Sequence, residues 1–191
     1  HVHLSVIDQR GQNIFDDGSE AGSQLMQHAL AGLLAAMPES MLIFAPHHNS
    51  YRRFAIESHA PLAACWGYEN RTTALRIPMG PTQQRRIEHR VAGADTNPYL
   101  VLATILAGVL AGLNQGALPP PPIEGSAYDA KLPSLPLTWQ TAYGAFAKGS
   151  VLGDLLPDVF RHMFLDCKAQ EMRRFATDIS AFEYQSYLDQ V

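Results

Sequence analysis

The chain is poor in cysteine, in positive charge and in long apolar runs. Its two cysteines, Cys65 and Cys167, lie far apart and outside any C-x-x-C pair. That excludes a disulfide framework and suits a reducing, cytoplasmic setting. A net charge of −4 argues against a general nucleic-acid binder, which needs a basic surface. The longest apolar stretch, 100–113, contains Thr104 and falls short of the roughly 18 to 20 residues that cross a bilayer, so it reads as a buried helix and no membrane partner is expected. No Walker motif, G-x-G-x-x-G or G-x-S-x-G occurs, and phosphate, if bound, has to be held by other means. The chain opens at His1, with neither an initiator Met nor a signal-peptide pattern.

Ordinary globular composition remains: 191 residues, 47% hydrophobic and 17% charged, enough for one domain with a core. Within it the arginines are unevenly placed. Positions 52 to 90 hold seven arginines, no lysine and three glutamates, a net +4 that leaves −8 for the remainder. Guanidinium stays protonated and grips carboxylate or phosphate through two parallel hydrogen bonds, so a multiply charged anion is the expected ligand. Arg10, Arg52, Arg85, Arg161, Arg173 and Arg174 are read as surface residues in weak ion pairs.

Alternation over 1–7 places His1, His3 and Ser5 on one strand face and Val2, Leu4 and Val6 on the other. The same argument applied to 86–91 puts Ile87, His89 and Val91 on one face and Arg86, Glu88 and Arg90 on the opposite one. Two arginines then flank one carboxylate. Glu88 is either their neutraliser or a ligand for a hard cation such as Mg²⁺, with imidazole from the His-x-His strand as partner. Further strands are expected over 62–66 and 73–77, and an exposed loop over 46–58. Helices are expected from Leu25 to Pro38, carrying a structural His28, and over 98–114, opened by Asn97 as cap with Gly108 and Gly112 allowing close packing. Others are expected over 139–147, over 157–175 with Val159, Met163, Cys167 and Met172 on the buried side, and over 181–188. The proline-rich stretch 115–136 is an irregular excursion, either functional or a linker.

In order along the chain, H-V-H-L-S (1–5), N-S-Y-R-R (49–53), N-R-T-T-A-L-R-I-P (70–78), R-R-I-E-H-R (85–90) and N-P-Y-L (97–100) resemble the catalytic domain of the glutamine synthetase family. The wording E-N-R-T-T-A-L-R and R-I-E-H-R-V-A-G-A-D is most similar to its γ-glutamylpolyamine (γ-glutamylputrescine) synthetase branch. The resemblance implies an α+β fold, a largely antiparallel sheet whose polar face carries Arg71, Arg86, Glu88 and Arg90, with helices packed on the other side. It also implies ATP- and Mg²⁺- (or Mn²⁺-) dependent joining of the γ-carboxylate of glutamate to an amine through γ-glutamyl phosphate. By motif position, His1 and Glu88 are the implied metal ligands, and His3, Ser5, Arg71, Arg76 and Arg86 the ATP contacts. Arg53 and Arg90 are the implied substrate-carboxylate contacts, and Arg71 is placed at the transferred phosphate.

Ammonia-using members carry a glutamate before Ala-Pro in the flap after the S-Y-R-R motif; here His59 precedes Ala60 and Pro61. A histidine does not attract ammonium as a carboxylate does. The implied acceptor is therefore a polyamine or other larger amine, met by His59 or nearby Glu57. Glutamine synthetase proper, using ammonia, and a non-catalytic structural or regulatory member are the alternatives. Residues 1–191 match only the C-terminal part of the family's catalytic domain, without its N-terminal β-grasp domain and first half. The chain is thus expected to be part of a longer polypeptide, inactive alone and, when complete, a homo-oligomer of hexameric rings stacked as a dodecamer.

Overall fold

The computed structural model describes residues 1–56, 58–153 and 155–190. These fall into two units, divided between residues 156 and 157.

The first unit is built on a four-stranded sheet. Its strands β1 (Val2–Leu4), β2 (Trp66–Tyr68), β3 (Leu75–Ile77) and β4 (Ile87–His89) lie in the order β1-β4-β3-β2. Pairing is antiparallel for β1 with β4 and for β3 with β4, as expected, but β2 and β3 run parallel, so the sheet is mixed. Parallel neighbours ordinarily need a long crossover. Here each strand has three residues, and the six-residue link 69–74 is long enough to return the chain to the start of its neighbour. The strand expected over 62–66 is displaced to Trp66–Tyr68, because Leu62 and Ala63 pair instead with Leu135 and Ser134 of the proline-rich excursion. The expected loop 46–58 contains a 3-10 turn, His48–Arg53, with Ser50 and Tyr51 buried.

Helix α1 (Gln24–Phe44) is capped by the Ser23 hydroxyl, which accepts from the Met26 N–H. It does not stop at Pro38 as expected but continues to Phe44. An interior proline costs about 3 kcal/mol. All six residues after it are buried, and each large apolar side chain removed from water returns roughly 1.5–3 kcal/mol. Ser40, beyond the proline, donates its hydroxyl to the Ala36 carbonyl at 2.6 Å. The end of α1 meets the inner face of the sheet, where the Phe44 and His89 rings lie edge to face at 4.7 Å.

Helix α2 (Pro98–Gln115) starts at Asn97, whose side chain accepts from Tyr99 N and Leu100 N, and ends at Gly116 in the left-handed conformation. By length and composition α2 is apolar enough to cross a membrane. Its glycine face, however, is packed on α1: a Cβ on Gly112 would sit 2.0 Å from the His28 carbonyl oxygen, and one on Gly32 2.2 Å from that of Gly108. Helix α3 (Trp139–Lys148) also packs on α1. Buried Glu39 of α1 accepts the Val151 and Leu152 N–H groups just beyond α3.

The second unit comprises α4 (Asp158–Thr177) and α5 (Ala181–Tyr187). Of the four residues expected on the buried side of α4, Met172 is half-buried and the other three are not covered. Val159 (71%), Met163 (63%) and Cys167 are exposed, while Phe160, Phe164 and Lys168 are the covered ones. The Phe160 and Phe164 rings stack 5.7 Å apart along this face, with the Lys168 ammonium near the Phe164 ring.

The Gly112–His28 approach makes a direct test. Gly112→Ala is expected to lower stability by about 1–3 kcal/mol through overpacking, read as a fall in urea midpoint at constant slope. Gly144→Ala in α3, where a Cβ meets nothing within 4 Å, is expected to raise it by roughly 0.5–1 kcal/mol.

Candidate functional site

Strand order decides what surrounds Glu88. In the central strand β4 it faces His3 of β1 on one side and Arg76 of β3 on the other. Residues directly opposite across strands have Cβ atoms about 4.5–5.5 Å apart, closer than same-face neighbours along one strand. Glu88 is 4% exposed. Its Oε2 accepts from Arg76 Nη1 at 2.7 Å and its Oε1 from Arg90 Nη1 at 3.1 Å. His1 Nδ1 lies 2.9 Å from Oε1, and His3 Nε2 lies 3.8 Å from it. Burial alone pushes the carboxyl pKa up, but the Arg76 hydrogen bond and the Arg90 and Arg76 charges outweigh it and leave Glu88 below its ordinary value.

Arg86, read from the sequence as a flanking partner of Glu88, takes another place. It precedes β4, donates Nε–H to His3 Nδ1 at 3.3 Å and is bonded to the Gln84 carbonyl. Arg85, read as a surface residue, is buried and donates to the Ser19 carbonyl at 2.8 Å. The alternation of β4 does hold on its inner side, where Ile87, His89 and Val91 are all buried. His89, fully enclosed, has its pKa pushed down to about 3 by burial and is neutral.

Arg90 ties three segments together. Besides Glu88 it donates Nη2–H to the carbonyls of Arg71 at 2.8 Å and His59 at 3.4 Å. His59 occupies the left-handed region at φ +57, a costly conformation for a residue with a Cβ. The next carbonyl, of Ala60, accepts from the Tyr128 hydroxyl at 3.0 Å. Tyr128 belongs to the 115–136 excursion, which also meets the N-R-T-T motif. Asn70 donates to the Ile123 and Gly125 carbonyls, and the Ala127 N–H donates to Thr72. The excursion is thus a strap joining the flap to the arginine motif.

A cavity of about 330 Å³ is lined by His1, His59, Arg71, Arg76, Glu88 and Arg90. Six of the ten sequence-derived site residues converge there. The Nε–H groups of Arg76 and Arg90 are buried without a hydrogen-bond partner, so both guanidiniums keep donors unspent. Ser5 lies in a separate cleft of about 550 Å³ with Asn13, Asp16, Gln83 and Gln84. Arg53 stands outside the cavity: its guanidinium donates to the Val91 carbonyl and lies over the Phe54 ring, and burial lowers its pKa while nearby Asp95 opposes the shift. Glu57, the other flap acid considered, is outside the described residues.

For a divalent cation, the fit is that of two donors, an imidazole nitrogen from His1 and a carboxylate oxygen from Glu88. No group of three His, Cys, Asp or Glu ligands occurs among the described residues. A hard ion here takes its remaining oxygens from elsewhere, such as phosphate, water or other carboxylates. Glu69 and Tyr128 were not singled out from sequence. Neither has a local signal, because their contacts, to Arg76 and to Ala60, depend on strand register and on where the strap returns.

The family model for the glutamine synthetase catalytic domain matches residues 1–187. The chain is 40% identical over 185 residues to the gamma-glutamylputrescine synthetase of Escherichia coli, covering 97% of this chain and 39% of that protein. It is 44% identical over 142 residues to the gamma-glutamylethanolamide synthetase of Streptomyces coelicolor, covering 74% and 30%. The solved structure of apo GmaS without ligand superposes with a TM-score of 0.86 at 28% identity, covering 98% of this chain and 44% of the other. The chain spans less than half the length of each of these relatives.

Removing only the Tyr128 hydroxyl tests the strap. Tyr128→Phe is expected to cost about 1 kcal/mol locally, so that amide exchange at Ser58 and Ala60 quickens about fivefold while the global unfolding midpoint moves little. Unchanged exchange at these amides would show that the hydroxyl does not hold the flap.

Proposed function

We propose, from the premise that the chain belongs to the glutamine synthetase catalytic-domain family, that it forms the arginine-rich part of an ATP-dependent ligase joining the γ-carboxylate of glutamate to an amine. The observation that carries the reading is the buried Glu88 clamped by Arg76 and Arg90, both of which line one cavity with Arg71 and His59.

The chemistry has two steps. An oxygen of the glutamate γ-carboxylate attacks the γ-phosphorus of ATP, giving γ-glutamyl phosphate and ADP. The amine nitrogen then attacks the activated carbonyl carbon, phosphate leaves, and the nitrogen gives up its proton. Both steps concentrate negative charge on phosphoryl oxygens, so catalysis is largely positioning and electrostatic stabilisation. Arg71 and Arg76 are suited to those oxygens, and Arg90 to a substrate carboxylate. Arg90 is the best braced of the three, with bonds to Glu88 and to two carbonyls. His3 and Arg86, bonded to each other, and Ser5 in the separate cleft are assigned to the nucleotide. Arg53, turned to Val91, has to swing to reach substrate. A Mg²⁺ or Mn²⁺ ion, held by His1 and Glu88, supplies further charge neutralisation for the phosphates.

His59 sets the acceptor. It lines the cavity, and its backbone is held by Arg90 and, through Ala60, by Tyr128. An imidazole at this point gives ammonium no counter-charge. The names of the two relatives, a putrescine and an ethanolamide synthetase, are in keeping with an amine larger than ammonia.

Steady-state assays of the full-length protein with ammonia, putrescine and ethanolamine provide the test. An organic amine is expected to give the highest kcat/KM, and His59→Glu is expected to raise that for ammonia by about tenfold, some 1.4 kcal/mol of transition-state stabilisation. Efficient turnover with ammonia alone by the unmodified protein would overturn the acceptor assignment in favour of glutamine synthetase proper.

A further inference from the structure

Glu69 takes no part in the reaction just described, yet it is heavily committed. It directly follows β2 with φ at +48, and it and His59 are the two non-glycine residues in the left-handed region among those described. Its N–H donates to the Ile77 carbonyl at 3.0 Å, extending the β2–β3 ladder by one bond. Held there, both carboxylate oxygens lie within hydrogen-bond distance of Arg76 Nη2, at 2.9 and 2.7 Å, and Oε1 also accepts the Met79 N–H. The Arg76 hydrogen bond, with the Met79 N–H second, keeps its pKa below the ordinary carboxylate value, so it is ionised at neutral pH.

Arg76 is therefore stretched between two acids. Nη2 is bonded to Glu69, which lines an adjacent cleft, and Nη1 to Glu88, which lines the cavity. A long side chain with several rotatable bonds does not hold one direction unless both ends of its guanidinium are fixed. With Glu88 as sole partner, the fork is free to close on that carboxylate with both Nη groups and so withdraw its donors. We propose that Glu69 is a positioning residue that holds the Arg76 guanidinium open, leaving the second N–H of Nη1 available to an anion in the cavity. The proposal rests on the reading of Arg76 as a phosphate contact.

Simple electrostatics and positioning predict opposite signs here. Deleting a carboxylate near an anion site removes repulsion and should tighten anion binding. Deleting a positioning carboxylate should weaken it, because the arginine then folds onto Glu88. The experiment is calorimetric titration of ATP into the full-length protein, its Glu69→Ala and Arg76→Ala variants and the double variant, with circular dichroism to verify folding. Glu69→Ala is expected to weaken ATP binding about tenfold, the scale of one charge-assisted hydrogen bond, and to have no further effect when Arg76 is already alanine. Glu69→Gln, which keeps the shape and one acceptor oxygen, is expected to fall between and is the variant read if Glu69→Ala does not fold. Equal or tighter binding by the folded variant, or an equal loss without Arg76, would overturn the proposal while leaving the site assignment standing. Equal ATP affinity of the unmodified protein and Arg76→Ala would remove Arg76 from the anion site and the proposal with it.

Discussion

A carboxylate taken out of water has to be compensated, and the first unit is arranged around that requirement at Glu88. An unpaired buried charge costs several kcal/mol, and breaking a buried pair by deleting one partner typically costs 3–5 kcal/mol. Glu88 meets the demand with the Arg76 guanidinium from β3, that of Arg90 just past its own strand and the His1 imidazole just before β1. Arg76 and His1 come from distant stretches of chain, so the strand order β1-β4-β3 and the register that sets His3 and Arg76 opposite Glu88 are conditions for burying this charge.

The same arginines carry the site outward. Arg90 passes from Glu88 to the carbonyls of Arg71 and His59, and Arg76 passes from Glu88 to Glu69. The cluster is thereby both a solution to burial and a set of braced cationic groups lining a cavity. Two non-glycine residues in the left-handed conformation, His59 and Glu69, stand at the ends of these chains of contacts. Their strain is sustained because surrounding hydrogen bonds over-determine their position. The proline-rich strap adds a further brace, since a segment stiffened by fixed φ angles loses little entropy when its carbonyls are held by Trp66 and Asn70 and its Tyr128 reaches the flap.

Much of this was legible locally. The period-two pattern placed Ile87, His89 and Val91 inward, Asn97 and Pro98 marked the start of α2, and three of the clustered arginines, Arg71, Arg76 and Arg90, line one cavity. Patterns failed where long-range packing overrode a local signal. Pro38 reads as a stop, yet the apolar segment after it gains more by burial than the proline loses. Alternation makes Arg86 and Arg90 look equivalent beside Glu88, but of these two residues flanking β4 only Arg90 turns back to Glu88, while Arg86 turns to His3. On α4 the partly covered residues are Phe160 and Phe164, stacked one turn apart, where Val159 and Met163 were expected.

Residue type and spacing by themselves determined the chemistry available: guanidiniums without lysine, a carboxylate between them, imidazoles on a neighbouring strand, and motifs in the order of one family. Those are properties of side chains and of short periodic segments, which a sequence states directly. Tertiary structure decided which arginine serves which acid, that His59 and Arg71 share the cavity of Glu88 while Arg53 and Ser5 stand outside it, and that Glu69 and Tyr128 matter at all. These depend on the pairing of three-residue strands and the return path of a strap across 60 or more positions of chain, and contacts made at such separation leave no periodic trace in the sequence.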